Sequence, residues 1–201
     1  MIVLTHDSEP DELTNFLAAN DNLQVKDFDS LEFRPVKHIV RQKLYELQGN
    51  LCVYCERHFP DIERMQVEHI KPKSGPNKHP DLCFSYENYA ASCIQQESKN
   101  LQSCGQNKQD KLLPIEPTSQ QCNDFYVLNT DGEILPIPTS TRPERHIRKS
   151  TTDILGLNKA FLVRKRKVKI ENLAKIMKLS PIAAKKFMSD GEFRFILHRM
   201  V

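Results

Sequence analysis

Cys52-Val53-Tyr54-Cys55, then Met65-Gln66-Val67-Glu68-His69-Ile70-Lys71-Pro72, then Asn88, Cys93 and Cys104: within a chain of 201 residues, this run decides the fold. Two groups of cysteines bracket a Glu-His pair. A CxxC turn curls its backbone so that both thiolates point to one side, and a second pair must close a tetrahedral shell of the kind zinc prefers. Cys93 and Cys104 are the expected second pair, with Cys83 as a rival ligand. The ten residues between Cys93 and Cys104 must then loop out while their ends stay together. The apparent zinc-binding free energy of small sites, about 10–16 kcal/mol, is ample to offset that closure. Cys122 and, if not a ligand, Cys83 read as ordinary buried thiols.

Between the cysteine groups, Met65 to Ile70 reads as a strand ending in a polar pair. Adjacent strand residues face opposite ways, so a local distortion is expected if Glu68 and His69 are to approach one site. Phosphodiester hydrolysis needs a base to take a proton from water and a cation to neutralise phosphate charge. A neutral imidazole at His69 suits the first need. The carboxylate of Glu68 suits a hard divalent ion such as Mg²⁺, and the carbonyl oxygen of Asn107 can complete its coordination. Asn88 is placed to hold the backbone around His69. Lys71, Lys73 and Lys108 are candidate phosphate contacts. His6, His38, His58, His146 and His198 carry no role, and His79, before Pro80, shapes its loop.

These residues resemble the HNH endonucleases, members of the ββα-metal nucleases. Wider segments carry a closer resemblance: Cys-x-Tyr-Cys-Glu at 52–56, Val-Glu-His-Ile-Lys-Pro-Lys-Ser at 67–74, Tyr-Glu-Asn-Tyr-Ala-Ala-Ser-Cys at 86–93, Ser-Cys-Gly-x-x-Lys at 103–108 and Asp-Gly-Glu-Ile at 131–134. They are similar to the HNH subunit of the Septu anti-phage system, PtuB, and similar proteins accompany some retrons. Ile154 to Asn158, with Leu162 and Arg164, resembles that family's helical tail, so the likeness runs from about residue 35 to 170. It implies an α+β fold: a zinc-braced ββα-metal core with flanking α-helices. It also implies His69 as general base, Glu68 as ligand of a catalytic Mg²⁺ or Mn²⁺, and Asn88 as the middle position. The third position usually follows the last cysteine, where this chain has Gly105; Asn107 is chosen, with Gln106 and Asn100 as rivals. The implied partners are DNA, an ABC-type ATPase like PtuA and, in a retron, a reverse transcriptase with its RNA–DNA hybrid. The implied role is effector of a bacterial anti-phage complex. Two competing readings stand beside it: a non-enzymatic zinc module that binds nucleic acid or scaffolds an ATPase, and an RNA- or tRNA-directed nuclease.

Composition agrees with a soluble globular class, with 39% hydrophobic and 27% charged residues. No apolar run approaches the roughly 18 residues of a membrane span. The start lacks a basic region followed by an apolar one, so no export signal is expected, and six cysteines with CxxC spacing argue for a reducing cytoplasm. Charge is uneven: residues 1–34 hold eight acidic and two basic side chains, and residues 142–201 hold sixteen basic and five acidic. A basic C-terminal third can attract phosphate or an acidic surface. Three parts are expected: an acidic arm over 1–34, the zinc-containing core over 35–140, and a basic helical extension over 141–201. Trp is absent and the Phe and Tyr residues are dispersed, so no stacking set for single strands is present; duplex DNA is the default, mostly as what the family resemblance implies.

Periodicity predicts helices from about Ser8 (as cap), over 36–48, over 86–94, from Asn158 to Lys178, and from Ser180-Pro181. Residues 95–107 are polar. Residues 125–128 and 134–137 flank Thr130-Asp131-Gly132 and predict a hairpin. Residues 138–150 read as a Pro/Thr/Arg linker.

Overall fold

The computed structural model describes residues 1–94 and 98–200; residues 95–97 of the polar loop and Val201 lie outside the description. Helices and two small sheets share one apolar core that reaches from Met1 to Leu197. Helix α1 (Asp11–Ala19) is followed by a 3₁₀ turn (Val25–Asp29) and α2 (Arg34–Leu47). Pro35 occupies the first turn of α2, where its missing N–H costs nothing. Val40 and Leu44 bury its inner face. Gly49 and Asn50 end the helix with φ of 61° and 63°. Gln48 then ties the helix end to the sheet. Its Nε2 donates to Leu51 O (2.8 Å) and Ala91 O (3.0 Å), while its Oε1 accepts from Ala91 N at 2.7 Å.

Strand β1 (Met65–His69) pairs antiparallel with β2 (Tyr89–Cys93), in a register running from Met65↔Cys93 to His69↔Tyr89. The ladder therefore puts a cysteine at one end and the histidine at the other, roughly 13 Å apart at about 3.4 Å per residue. The helix expected over 86–94 is instead a 3₁₀ turn (Tyr86–Asn88) leading into β2. Its Tyr-Ala-Ala-Ser-Cys composition tolerates a helix, but β1 offers a line of backbone partners, and all five β2 residues are buried where those groups must be satisfied.

Helix α3 (Gly105–Lys108) follows Cys104, and β3 (Tyr126–Leu128) pairs with β4 (Ile134–Pro136) as the expected hairpin. Gly132 sits in its turn at φ +89°, with an added Cβ only 2.5 Å from Val163 O, so the hairpin rests directly on the next long helix. The expected linker over 138–150 is largely helix α4 (Arg142–Leu155). Thr141 and Glu144 form a capping box there, and Gly156 closes the helix in the left-handed conformation. Helix α5 (Ala160–Leu179) and α6 (Pro181–Ser189) fall where periodicity places them, with the Ser180 hydroxyl accepting from Ala183 N at 3.2 Å. A last turn of helix, α7 (Arg194–Leu197), precedes a single β-bridge between Met200 and Leu128.

Ser8 does not cap α1, because the helix begins three residues after it, at Asp11, with Pro10 in the cap position. The acidic arm is anchored at its start. Ile2 N donates to Val53 O (2.8 Å), and the Met1 ammonium pairs with buried Glu56 at 2.9 Å. The second Glu56 oxygen accepts from Phe195 N at 2.8 Å, so one carboxylate joins both ends of the chain. Arg166, on α5, is fully buried and donates to Gly132 O (2.6 Å) and Leu157 O (2.8 Å). Among the described residues, no helix is long and apolar enough to cross a membrane.

Candidate active site and four-cysteine cluster

Cys52, Cys55, Cys93 and Cys104 converge: their four sulfurs lie within 4.8 Å of one another, all buried. Cys83 is not among them. A tetrahedral zinc with Zn–S of about 2.3 Å sets sulfurs about 3.8 Å apart. The Cys55–Cys93 pair stands at 3.9 Å, so the cluster fits that ion. Burial pushes the Cys52 and Cys104 thiols well up. At Cys55 the burial penalty is outweighed by contacts from Cys104, Cys52 and Cys93 and by the Arg57 guanidinium, which hold that thiol well down. A cation is what allows all four to ionise together. The surroundings suit a negative cluster: Arg57 Nη2 lies 3.7 Å from Cys93 Sγ, and Cys93 N donates to Cys52 Sγ at 3.4 Å. Sequence reasoning missed Arg57, whose only signal is its place two residues after the CxxC.

At the other end of the ladder, His69 lines a cleft of about 370 Å³ together with Glu68, Gln66, Lys73, Gly105 and Gln106. The carbonyl of Cys83 can only accept, so its 2.9 Å contact with His69 Nε2 places the proton on Nε2 and leaves the lone pair on Nδ1. The ring is wedged edge-on against Phe28 (centroids 4.5 Å apart) and Tyr89 (5.3 Å). Burial lowers its pKa to about 4, so the imidazole is neutral at neutral pH. β1 keeps its regular register through Glu68 and His69, and the expected distortion is not found; both residues line the cleft because His69 ends the strand.

Asn88 Oδ1 accepts from Lys71 N (2.8 Å), and its Nδ2 donates to Lys71 O (3.0 Å) and Leu82 O (3.1 Å). The amide thus clamps the backbone that follows His69. Asn107 does not meet Glu68. Its Nδ2 donates to Ile154 O (2.9 Å) and Asp153 O (3.3 Å), and its Oδ1 accepts from Lys159 Nζ at 3.0 Å. The carbonyls at the C-terminal end of α4, which run out of helical donors, have drawn it away. Gln106, a rival for its role, lines the cleft; Asn100 lies exposed in a separate turn.

The position next to Glu68 belongs to Gly105, where an added Cβ would stand 2.2 Å from Glu68 Oε2. Lys108, expected on a phosphate, is fully buried: its Nζ donates to Glu68 Oε1 (2.9 Å) and His69 O (2.8 Å). Glu68 Oε2 accepts from Gln66 Nε2 at 3.0 Å. Burial raises the Glu68 carboxyl, against the lowering effect of Lys108 and Gln66. With Lys108 in place a divalent ion does not fit at Glu68: both oxygens of the carboxylate are engaged, and an ammonium already touches one of them.

Lys73 does reach the cleft. With Lys37 it sits over the Phe28 ring (4.2 and 4.1 Å) and pairs with Asp29 (2.9 and 2.6 Å). Arg41 adds a third cation to the lining. Lys71 lines a separate cavity of about 460 Å³ beside Leu4 and His6. Phe28, Asp29, Lys37 and Arg41 carry no motif, and no pattern in the sequence separates them from other arm and helix residues.

No family model matches the chain. A curated protein of Vibrio cholerae serotype O1 biovar El Tor, described as "Retron Vc95 putative HNH endonuclease", is 47% identical over 205 residues, covering 100% of this chain and 99% of that one. With identity spread over the whole length, and a Glu-His strand end joined by one short sheet to a four-cysteine cluster, the chain belongs to the HNH endonuclease family.

Proposed function

We propose that the chain hydrolyses phosphodiester bonds of nucleic acid, duplex DNA first, with His69 as general base. The observation that carries this reading is the His69 ring itself: neutral, tethered through Nε2 to Cys83 O, and set in the wall of a cleft that also holds Lys37, Lys73 and Arg41. A water in the cleft gives its proton to Nδ1 as its oxygen attacks phosphorus, the phosphorus–oxygen bond to the leaving sugar breaks, and the departing oxygen takes a proton from solvent water. The three cations neutralise charge on the non-bridging oxygens, and the approach of that same anionic phosphate favours the imidazolium that forms. Asn88 positions His69 by fixing the backbone behind it. β1, β2 and α3 stand as the two strands and helix of a ββα core, with Cys52, Cys55, Cys93 and Cys104 holding a structural zinc that locks Cys104, and hence α3, against the strands.

The relative is named for a retron, and this chain is proposed to act in the same setting: a cytoplasmic effector beside a reverse transcriptase and its RNA–DNA hybrid, with an ABC-type ATPase as regulator. Exposed lysines and arginines along α5 and α6 support a docking role for that end.

Cleavage of plasmid, single-stranded DNA and total RNA by wild type and His69→Ala protein tests the reading. Loss of a general base lowers rate by about 10²–10⁴. Equal cleavage by a folded, zinc-loaded His69→Ala protein would remove the assignment.

A further inference from the structure

The Lys108 ammonium is enclosed by oxygen: Glu68 Oε1 at 2.9 Å, His69 O at 2.8 Å and Gln109 O at 3.4 Å. A carboxylate and two backbone carbonyls are hard donors, the set that Mg²⁺ or Mn²⁺ takes. The cage is sized for an ammonium, since Mg²⁺ draws its oxygens in to about 2.0–2.1 Å. Like charges cannot share it. Gly105, without a side chain, lets the Glu68 carboxylate lie against α3, and α3 delivers Lys108 from its other end.

We propose that Lys108 is a resident cation in the divalent-ion position of the Glu68 site, and that the residues present do not admit Mg²⁺ or Mn²⁺ at Glu68 while the ammonium is in place. Lys108 thereby sets the metal affinity of the site. The inference rests on Glu68 and His69 forming the nuclease centre, and its test does not use cleavage.

Mn²⁺ binding to zinc-loaded protein, followed by electron paramagnetic resonance, compares wild type, Lys108→Gln and the Glu68→Gln/Lys108→Gln double variant. Lys108→Gln should bind one Mn²⁺ at least tenfold tighter than wild type, and the double variant should lose that gain. Equal or weaker binding by Lys108→Gln overturns the proposal. Should Lys108→Gln fail to fold, acylation of wild-type lysines read by mass spectrometry decides. Lys108 should be protected without Mg²⁺ and modified with it. Protection that persists while Mg²⁺ is bound, as shown by competition with Mn²⁺, overturns the proposal. Failure of the His69→Ala cleavage test would strike the proposed function and leave these binding results standing.

Discussion

Gly105→Ala tests how tightly the Glu68 site is packed, and two known effects oppose each other there. Alanine in a helix is favoured over glycine by about 0.5–1 kcal/mol. Gly105 has no positive φ, so the backbone itself does not object. The new Cβ would, however, stand 2.2 Å from Glu68 Oε2 and 2.5 Å from Gln66 Nε2. Glu68 is buried and cannot simply swing to water; moving it breaks the Gln66 bond or lengthens the Lys108 pair. A hydrogen bond to a charged group is worth about 1.5–3 kcal/mol. The clash therefore wins by about 1–2 kcal/mol, which for a chain of this size lowers Tm by roughly 2–8 °C. Thermal unfolding of zinc-loaded protein reads this directly. Repeating it in a Glu68→Ala background isolates the contact, because the substitution should there become neutral or stabilising. A Gly105→Ala protein as stable as wild type would refute the argument.

Asn107→Ala should cost about 1 kcal/mol through lost capping of α4 and leave cleavage near wild type, because its amide serves Asp153 and Ile154 rather than Glu68; a collapse of cleavage to the His69→Ala level would return Asn107 to the reacting centre. Asn88→Ala removes three partly buried hydrogen bonds and should destabilise by about 2–4 kcal/mol in denaturant titration, with no change in zinc content. Arg57→Ala should weaken zinc retention about 10–100-fold in competition with a chromophoric chelator, since its guanidinium faces Cys93 Sγ; unaltered retention would show that the cluster needs no counter-charge. Cys104→Ser should lose zinc in metal analysis and unfold at lower temperature, whereas Cys83→Ser should keep full occupancy, because Cys83 lies outside the four-sulfur cluster.

Much of the site's chemistry was legible in the chain. CxxC with two later cysteines points to a tetrahedral metal shell because ligand type and turn spacing are local properties. The hairpin around Asp131-Gly132 and the helices at α2, α5 and α6 follow from periodicity and caps, also local. Local patterns misled where a partner decided the outcome. Residues 89–93 became a strand because β1 supplied their hydrogen bonds, and 142–155 became a helix whose Thr141/Glu144 box was hidden by the Pro/Thr/Arg composition.

By itself the sequence determined which residues carry metal-donor chemistry, which imidazole is the candidate base, and which family the motifs resemble. Tertiary structure alone set the rival Cys83 outside the four-cysteine cluster and turned Asn107 to α4. It alone put Phe28 and Asp29 of the acidic arm in the cleft wall and buried Lys108 on Glu68. The reason is physical: donor chemistry belongs to the residue, but the direction of a side chain is set by the nearest unsatisfied group, and that group is often forty residues or more away along the chain, as Glu68 is from Lys108.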